Sequence, residues 1–561
     1  MGQLYAINTI GAAVGSILSG FLLINLWGVS GTLRFAVVMN GIIGGVSFVI
    51  ANWVMKRSGS DEETQEEQIN SDTGEELPIV VEPQLDEQEI KYSDFQQKAA
   101  LTLFAVSGFA AMAYEVIWTR LLGLIIGPTT YSFTIVLTTF IIGLAFGATL
   151  FGKLADRSKN PFRLLLLTQI AAAVLALSVS QILGNSQFLF AKLIFSMKGD
   201  FVWLSLTKAL VLFILMLGPT IVLGATFPLV GKIYTRSLNQ IGESIGFAYA
   251  INTVGALLGS FSAGFILIPL LGKENGLSLV GAVQLLTAVS IFWMVYKDEV
   301  NSPKKLVPLA IGVLGLMLSL IYPHWDRGQL ATAKYYRFGQ HELLYRTTSW
   351  WDAFFKAPSE LIPYDESTEL VFYGDGIGGF TTVENDVDAF GKDQFTLFNS
   401  GKADASSESD MATQALLAHI PLLYHPNPQN VMILGLASGI TAGEALYHDL
   451  NRLDVLEISE QVVEASKFFS NLNNDILNQP RANIIVQDGR AHLELSEQKY
   501  DVIISEPSNP WMAGLASLFT EDFFRLAKNR LQWDGVFVQW FPAYQMDWAT
   551  YSIVGRTFAK V

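Results

Sequence analysis

The sequence predicts a multi-pass α-helical membrane bundle followed by a doubly wound α/β domain, with a small β region between them. Of the residues, 51% are hydrophobic and only 16% are charged, a balance that soluble proteins rarely show. Apolar runs fill the chain up to about residue 325, and short strands and amphipathic helices follow. Because a bilayer core needs roughly 20 apolar residues in a helix, nine runs qualify as spans: 5–27, 33–55, 99–125, 130–154, 163–184, 203–227, 245–271, 275–296 and 306–322.

The helical part contains an internal repeat. Residues 5–16, which begin Tyr-Ala-Ile-Asn-Thr, return 244 positions later as residues 249–260, and a second apolar span follows each copy. Four further spans precede the later copy and complete a six-helix unit, whereas the first unit shows only its last two helices. This arrangement resembles the parallel 6+6 repeat of major facilitator transporters. Residues 152–159 (Gly-Lys-Leu-Ala-Asp-Arg-Ser-Lys) resemble that family's loop motif between the second and third helices of a half.

An acidic segment separates the two helical units. Between Ser58 and Gln97 there are thirteen acidic residues and one base, Lys91, which account for most of the net charge of −15. Such a segment repels itself, so we expect an extended, disordered tether rather than a docking tail. The predicted domains are 1–57 (last two helices of the first repeat), 58–97 (linker), 98–300 (six-helix repeat), 301–324 (an extra span), 325–429 (connecting and small β region) and 430–561 (nucleoside-binding α/β domain).

A few residues stand out against the apolar background of the spans. Glu115 and Arg120 lie in one span, where an unpaired charge is costly, so we expect either a structural ion pair or a role in transport or binding. Small residues spaced four apart in both repeats predict close helix packing at Gly11, Gly15, Gly255 and Gly259.

The sequence offers no metal centre. It has no cysteine, which excludes disulfides, thiolate nucleophiles and cysteine-based zinc sites. The six histidines are scattered with no pair at metal-binding spacing, so no metal is expected. The expected partners are the lipid bilayer and a small ligand, and no nucleic acid.

The C-terminal pattern predicts two kinds of sheet. Residues 370–373, 380–383 and 395–398 indicate small antiparallel strands. From Asn430 onward the strands 431–436, 454–458, 483–487, 500–505 and 535–541 alternate with helices that include 440–449, 460–471 and 520–531. Alternation of this kind predicts a parallel, doubly wound sheet.

Polar groups follow three successive strands of this sheet. Gly435 and Gly439 bound a strand-to-helix turn, where a bare backbone and an electropositive helix end can approach a nucleoside. Glu457 ends the second strand, from which a carboxylate can take both ribose hydroxyls. Asp488 and Gly489 end the third strand, where a carboxylate can accept a hydrogen bond from an adenine amino group. Together these positions predict a nucleoside site.

The same segments resemble those of spermidine synthases. The order and spacing of that family are matched by Asn399–Asp404, Gly435–Gly439, Val455–Ile458, Asp488–Gly489 and the segment Tyr500–Gly514. The run Glu115–Arg120 matches the membrane-fused branch of the family, so the resemblance covers nearly the whole chain. It implies a class I methyltransferase-type or spermidine synthase-like fold for the C-terminal domain.

The resemblance also implies a site. Its donor would be decarboxylated S-adenosylmethionine as co-substrate, or S-adenosylmethionine, and its acceptor a small amine or polyamine. The implied residues are Gly435, Ser438, Gly439, Glu457, Asp488 and Gly489 for the cofactor, Asp404, Gln414 and Asn509 for the substrate, and Glu506 as the catalytic base. Glu506 stands where soluble members have Asp, whereas Asn509 and Ser438 replace acidic residues and Thr413 replaces a tyrosine, which argues against putrescine as the acceptor.

Three functions stay open at this point. The first is a membrane-bound aminopropyltransferase of polyamine metabolism, for which Glu457, Asp488 and Glu506 argue. The second is a transporter whose α/β domain senses a nucleoside or polyamine without catalysis, for which the repeat and the neutral acceptor residues argue. The third is an S-adenosylmethionine-dependent methyltransferase on the same fold.

The charge pattern bears on the location. Basic residues cluster at one end of the alternating spans: Lys56, Arg57, Lys153, Arg157, Lys159, Arg163, Lys232, Arg236, Lys297, Lys304 and Lys305. By the positive-inside rule this end is cytoplasmic, and we expect the membrane to be the cell's inner or plasma membrane. Nine spans then place the α/β domain outside, where S-adenosyl cofactors are not expected, unless one span is overcounted or re-entrant.

The helical repeat and the predicted parallel sheet both suggest that the native protein is longer than this sequence. The first repeat shows two helices where the second has six, and a spermidine synthase-like sheet normally has seven strands where five are predicted. We therefore expect about four spans upstream and a β-hairpin downstream of this sequence.

Overall fold

The predicted fold class is confirmed, with apolar helices first and a parallel α/β sheet after them. The structure is a computed structural model that describes residues 2–69, 92–235, 241–297, 303–320, 325–331, 341–362, 368–376, 379–387, 391–512, 514–542 and 546–561. The helices of the first part are α1 (Gly2–Ile17), α2 (Ile24–Ile69), α3 (Asp94–Ile126), α4 (Thr130–Arg157), α5 (Pro161–Gly184), α6 (Gln187–Ser196), α7 (Phe201–Gly224), α8 (Thr226–Tyr234), α9 (Ile241–Ser262), α10 (Ile268–Tyr296) and α11 (Pro303–Leu320).

Six helical stretches among the described residues are long and apolar enough to cross a membrane: Ala6–Trp53, Asp94–Ile126, Thr130–Arg157, Pro161–Gly184, Phe201–Tyr234 and Gly242–Tyr296. They indicate a multi-pass membrane protein. The apolar part of α11, Val307–Leu320, is shorter than the roughly 20 residues that a bilayer core requires. Within the described residues, the apolar helix is therefore shorter than the extra span predicted over 301–324. Residues 321–324 lie outside the described part of the chain.

The internal repeat is visible in the backbone. Gly28 (φ 67°) breaks α2 and Gly272 (φ 77°) breaks α10, and the two are separated by the same 244 residues as the sequence repeat. A short π-helical turn precedes each break, at Leu18–Leu23 and at Ala263–Leu267. A positive φ is readily adopted only by glycine. These two glycines therefore let two predicted spans follow each other with almost no connecting loop in each copy.

Helix α9 packs closely against α3. A Cβ at Gly255 would lie 2.1 Å from the carbonyl oxygen of Ala105, and a Cβ at Gly259 would lie 2.1 Å from that of Phe109. The predicted small-residue packing is thus present in the later copy. At Gly11 and Gly15 no atom of the described part of the chain lies within 4 Å of such a Cβ.

Helices extend into both ends of the acidic linker predicted over 58–97. Helix α2 continues to Ile69, and α3 already begins at Asp94. The start of α3 is fixed by a capping box, in which the Ser93 hydroxyl accepts from the Gln96 N–H and the Gln96 side chain accepts from the Ser93 N–H. Residues 70–91 lie outside the described residues.

Short helices connect the helical part to the first sheet. They are α12 (Arg327–Ala331), α13 (Glu342–Thr347), α14 (Trp350–Phe355) and α15 (Pro358–Leu361). The antiparallel sheet follows in the order β1 (Thr368–Gly376), β2 (Gly379–Val387), β3 (Asp393–Asn399) and β4 (Lys402–Ser406). The first three strands were predicted, but β4 was not.

The second sheet is parallel and lies in the order β7-β6-β5-β8-β9. Its elements in chain order are α16 (Met411–Tyr424), β5 (Asn430–Leu434), α17 (Ile440–Ala445), β6 (Arg452–Glu457), α18 (Glu460–Ala465), β7 (Ala482–Val486), α19 (Gly489–Leu495), β8 (Tyr500–Ser505), α20 (Glu521–Asn529), β9 (Leu531–Gln539) and α21 (Trp548–Ala559). Ala418 and Leu422 of α16 belong to the same buried core as Val431 and Val455. This domain therefore begins before the predicted boundary at residue 430.

The two parts of the molecule touch at the ends of α3 and α10. Lys273, directly after the Gly272 break, forms an ion pair with Asp375 of β1, and both side chains are almost fully buried. Leu124 of α3 packs in a small apolar cluster with Phe380 of β2. Helix α4 begins at this end with Thr130 and reaches the basic end of the bundle at Arg157.

Candidate active site

The strand order fixes where a ligand can bind. From β5 the chain continues outward through β6 and β7 and then returns to the other side of β5 as β8 and β9. The carboxyl ends of β5 and β8 therefore flank the switch point, where doubly wound sheets bind their ligands. Gly435 follows β5 and Glu506 follows β8, so the predicted turn and the predicted base are neighbours.

The turn after β5 depends on glycine. Gly435 (φ 99°) and Gly439 (φ 79°) both have positive φ, as does Ala437 between them (φ 46°). A Cβ at Gly435 would lie 2.9 Å from the carbonyl oxygen of Glu506, and one at Gly439 would lie 2.9 Å from Ile476 Cγ2. Glycine at these positions is therefore required by conformation and by contact.

Glu457 ends β6 and is held by the turn. Its Oε2 accepts from the Leu436 N–H (3.1 Å) and its Oε1 from the Ser459 N–H (3.0 Å). Burial raises the pKa of this carboxyl above its ordinary value, while the N–H donors oppose the rise. Two of the roughly four acceptor positions of a carboxylate are used, which leaves acceptor capacity for ligand hydroxyls in the cavity that Glu457 lines.

Asp488 lies at the end of β7, where it caps α19. Its Oδ1 accepts from the Ala491 N–H (2.7 Å), and the residue is exposed at the cavity wall. A Cβ at the adjacent Gly489 would lie 1.8 Å from Leu434 Cδ2. Glycine therefore lets the start of α19 pack against the end of β5 and brings Asp488 to the same edge as Glu457.

Glu506 carries a buried carboxyl oxygen, Oε1, that no described residue satisfies. Its N–H donates to the Leu434 carbonyl (2.8 Å), which fixes the backbone, but its Oε1 has no hydrogen-bond partner among the described residues. Burial raises the pKa of the Glu506 carboxyl to about 8, and the hydroxyl of Thr441 offsets part of that rise. A carboxyl with these properties in a cleft is suited to exchange a proton near neutral pH.

Asp404 is already neutralised within the chain. Its Oδ1 accepts from Lys402 Nζ (2.8 Å) and from Ser508 Oγ (2.7 Å), and its Oδ2 accepts from Asn399 Nδ2 (2.8 Å). The Lys402 and Asp404 side chains are only 3% and 10% exposed. The sequence analysis did not predict Lys402 or Ser508 as site residues. Lys402 stands two residues before Asp404 in the segment Asn399–Asp404, and this spacing of a base and an acid could have indicated an ion pair.

The other predicted residues divide into two groups. Gln414 lines the cavity, where it accepts from the Ser438 hydroxyl and donates to the Ser406 carbonyl (3.0 Å). Ser438, Gly439 and Asn509 are not among the cavity-lining residues. Asn509 is buried, and its Oδ1 has no hydrogen-bond partner in the described part of the chain.

One cavity of about 1230 Å³ joins these groups. The predicted site residues that line it are Gly435, Glu457, Asp488, Gly489, Glu506, Asp404 and Gln414. It continues between the helices of the first part, where Glu115 and Arg120 also line it. The sequence did not predict this junction, because only the docking of the two parts brings these segments together.

Comparisons with known proteins match the two parts separately. The Major Facilitator Superfamily profile matches residues 1–260, and the spermine/spermidine synthase domain profile matches residues 410–547. The polyamine aminopropyltransferase 1 of Aquifex aeolicus is 40% identical over 124 residues, which are 22% of this chain and 44% of the relative. The enzyme named polyamine aminopropyltransferase in Methanocaldococcus jannaschii is 33% identical over 174 residues, 30% of this chain and 58% of the relative.

Solved structures of spermidine synthases are similar to part of the chain. The crystal structure of spermidine synthase from Thermotoga maritima aligns with a TM-score of 0.31 and 25% identity over 34% of this chain and 64% of that one. The chain spans about half the length of the curated relatives it matches. From the two profiles, the chain fuses a major facilitator-like helical region with a spermidine synthase-like α/β domain.

Proposed function

We propose that this protein is a membrane-bound aminopropyltransferase that joins the aminopropyl group of decarboxylated S-adenosylmethionine to an amine. The observation that carries the proposal is the buried Oε1 of Glu506, which has no hydrogen-bond partner among the described residues and lies in one cavity with the carboxylates of Glu457 and Asp488. The spermine/spermidine synthase domain profile matches residues 410–547, which contain all three residues, and the relatives named polyamine aminopropyltransferase support the reaction class.

The residues divide the reaction between them. In this proposal Glu457 accepts from the ribose hydroxyls and Asp488 from the adenine amino group, and the sulfonium faces Glu506. The acceptor nitrogen attacks the aminopropyl carbon beside the sulfur, and a carbon–nitrogen bond forms as the carbon–sulfur bond breaks. The electron pair of the broken carbon–sulfur bond stays on sulfur, and methylthioadenosine leaves as a neutral thioether. Glu506 takes the proton that the amine loses.

The acceptor is a cationic amine. Asp404 is paired with Lys402 and Asn509 is neutral, so the α/β domain holds fewer free carboxylates for a short diamine than the resemblance implies. A longer amine that reaches beyond this domain into the helical region fits the cavity better. The membrane that carries the protein is proposed to be the cell's inner or plasma membrane.

A sensing role remains the second candidate, because the neutral Asn509 and the occupied Asp404 also fit a domain that binds without turnover. The deciding experiment uses the full chain in nanodiscs with decarboxylated S-adenosylmethionine and a panel of amines, and detects methylthioadenosine by mass spectrometry. Formation of methylthioadenosine supports transfer. Tight binding with no product for any amine supports sensing, and methylated product from S-adenosylmethionine supports a methyltransferase.

A further inference from the structure

The helical region places two charged side chains on the wall of the active-site cavity. Glu115 and Arg120 of α3 both line it, together with Glu457 and Glu506 of the α/β domain. Neither side chain makes a hydrogen bond or an ion pair with any residue that the structure describes. A charge on a membrane helix is costly unless it is paired or used. Because Glu115 has no partner among the described residues, a cationic ligand would stabilise its charge.

The structural alternative, a pair between Glu115 and Arg120, is not formed. Five residues along an α-helix turn the direction of a side chain by about 140° and rise about 7.5 Å, so the two residues do not share a face. Arg120 is exposed, whereas Glu115 is half-buried. The two groups meet the cavity at different depths.

The charges that line the cavity favour a cation. Six acidic residues among the described lining are Glu115, Asp404, Asp410, Glu457, Asp488 and Glu506, and three basic residues are Arg120, Lys273 and Lys402. Two of the three bases are engaged in ion pairs, Lys273 with Asp375 and Lys402 with Asp404. Even with Glu506 protonated, five acidic residues outnumber three basic ones, and a cavity wall with excess negative charge concentrates cationic ligands.

The position of Glu115 inside the helical bundle indicates the shape of the cationic ligand. It lies eleven residues before the end of α3 at Ile126, which is about 16 Å into the bundle at 1.5 Å per residue. The neighbouring wall is largely apolar and includes Met112, Val116 and Val136. An ammonium group at Glu115 would therefore be carried on an alkyl chain.

We propose that Glu115 binds an ammonium group of an alkyl polyamine, so that the helical region forms the inner part of the amine site. The inference rests on the proposed function for the choice of amine, but the binding it describes requires no turnover. It gives the fused helical region a direct part in holding the substrate, since Glu115 supplies a carboxylate where Asp404 is neutralised by Lys402.

The test measures spermidine binding to the full chain in nanodiscs by calorimetry. Glu115→Gln should weaken binding by about tenfold or more, the size expected for loss of a charge-assisted hydrogen bond. Glu243→Gln is the matched control, because Glu243 is an exposed carboxylate on α9 that does not line the cavity, and it should leave spermidine affinity unchanged. Arg120→Gln should not weaken spermidine binding.

The outcomes separate this inference from the proposed function. Unchanged spermidine affinity in Glu115→Gln would overturn the inference. It would also be overturned if Glu115→Gln and Arg120→Gln lowered the spermidine affinity and the unfolding midpoint equally, because that result would reveal a structural ion pair. Methylthioadenosine affinity should be the same in Glu115→Gln and wild type. If wild type forms no methylthioadenosine from any amine but loses spermidine affinity in Glu115→Gln, the proposed function fails and the amine site stands.

Discussion

Lys273 of α10 and Asp375 of β1 form a buried ion pair that joins the helical region to the α/β region, and the Lys273 N–H also donates to Asp375 Oδ2 (3.3 Å). Asp375→Asn leaves the lysine charge buried without its partner. We expect the free energy of unfolding to fall by about 3–5 kcal/mol, the usual cost of removing one member of such a pair.

Thermal unfolding of the detergent-solubilised chain, followed by tryptophan fluorescence, measures this loss. The control is Glu342→Gln, which removes one partner of an exposed pair with Arg346 and should leave the unfolding midpoint almost unchanged. The double variant Lys273→Met with Asp375→Leu should recover most of the stability. Equal midpoints for Asp375→Asn and Glu342→Gln would show that the pair does not hold the two regions together.

Glu457→Gln should weaken methylthioadenosine binding by about tenfold to a hundredfold, because the amide keeps one acceptor oxygen but loses the charge that strengthens hydrogen bonds from ribose. The glutamine can still accept from one of the two N–H donors, Leu436 and Ser459, so the turn should persist. Calorimetry reports the affinity, and far-UV circular dichroism reports the fold. An unchanged affinity with an unchanged spectrum would remove Glu457 from the nucleoside site.

Lys402→Met should strengthen binding of short diamines. The variant leaves Asp404 in a cavity wall with two remaining donors, Ser508 and Asn399, and no cation. A ligand ammonium can then replace the lysine. Competition between putrescine and spermidine on the folded variant measures the effect, and Lys402→Arg, which keeps the charge, serves as the control. Weaker or equal putrescine binding in Lys402→Met would contradict the account of the neutralised acceptor site.

The α/β domain and the basic ends of the helices should lie on opposite sides of the membrane. Lys159 follows α4 at the basic end, whereas Glu497 lies just before β8 in the α/β domain, and both are exposed. Because the chain has no cysteine, Lys159→Cys and Glu497→Cys each give one reactive thiol. An impermeant maleimide added to intact cells should label one of the two variants and not the other. Labelling of both or of neither would contradict this topology.

Periodicity and repeats predicted much of the fold. Strand β8 has the predicted bounds Tyr500–Ser505, and the breaks at Gly28 and Gly272 have the 244-residue spacing of the sequence repeat. Strand β4 was missed because Lys402 and Asp404 interrupt its apolar pattern. The cavity was missed for a different reason. It forms where α3 meets the α/β domain, and no local pattern records which distant surfaces will dock.

In the candidate site, too, local patterns predicted some features, and others depend on contacts between distant segments. That Glu457, Asp488 and Glu506 line one cavity agrees with the rule that parallel strand ends share one edge of a sheet, although their roles stay predictions. The pairing of Asp404 could not be predicted, because its three donors come from Lys402, Ser508 and Asn399, and only the folded chain brings Ser508 to the other two.

The raised pKa of Glu506 has a consequence for stability. Burial raises the pKa from its ordinary value of 4.5 to about 8, so between these values the folded chain binds a proton that the unfolded chain has lost. Stability should therefore fall as the pH rises through this window. Glu506→Gln cannot ionise, and its unfolding midpoint should fall less between pH 5 and pH 9 than that of wild type.

The most direct test is the pH dependence of methylthioadenosine formation by the full chain and by Glu506→Gln. With the pKa of Glu506 near 8, its base form increases about tenfold per pH unit below that value, so kcat/KM of wild type should rise toward pH 8 and then level. Glu506→Gln should lose at least about a hundredfold in kcat, the low end of the usual contribution of a general base, while it still binds methylthioadenosine. A Glu506→Gln variant that turns over at the wild-type rate with the same pH profile would contradict aminopropyl transfer at this site.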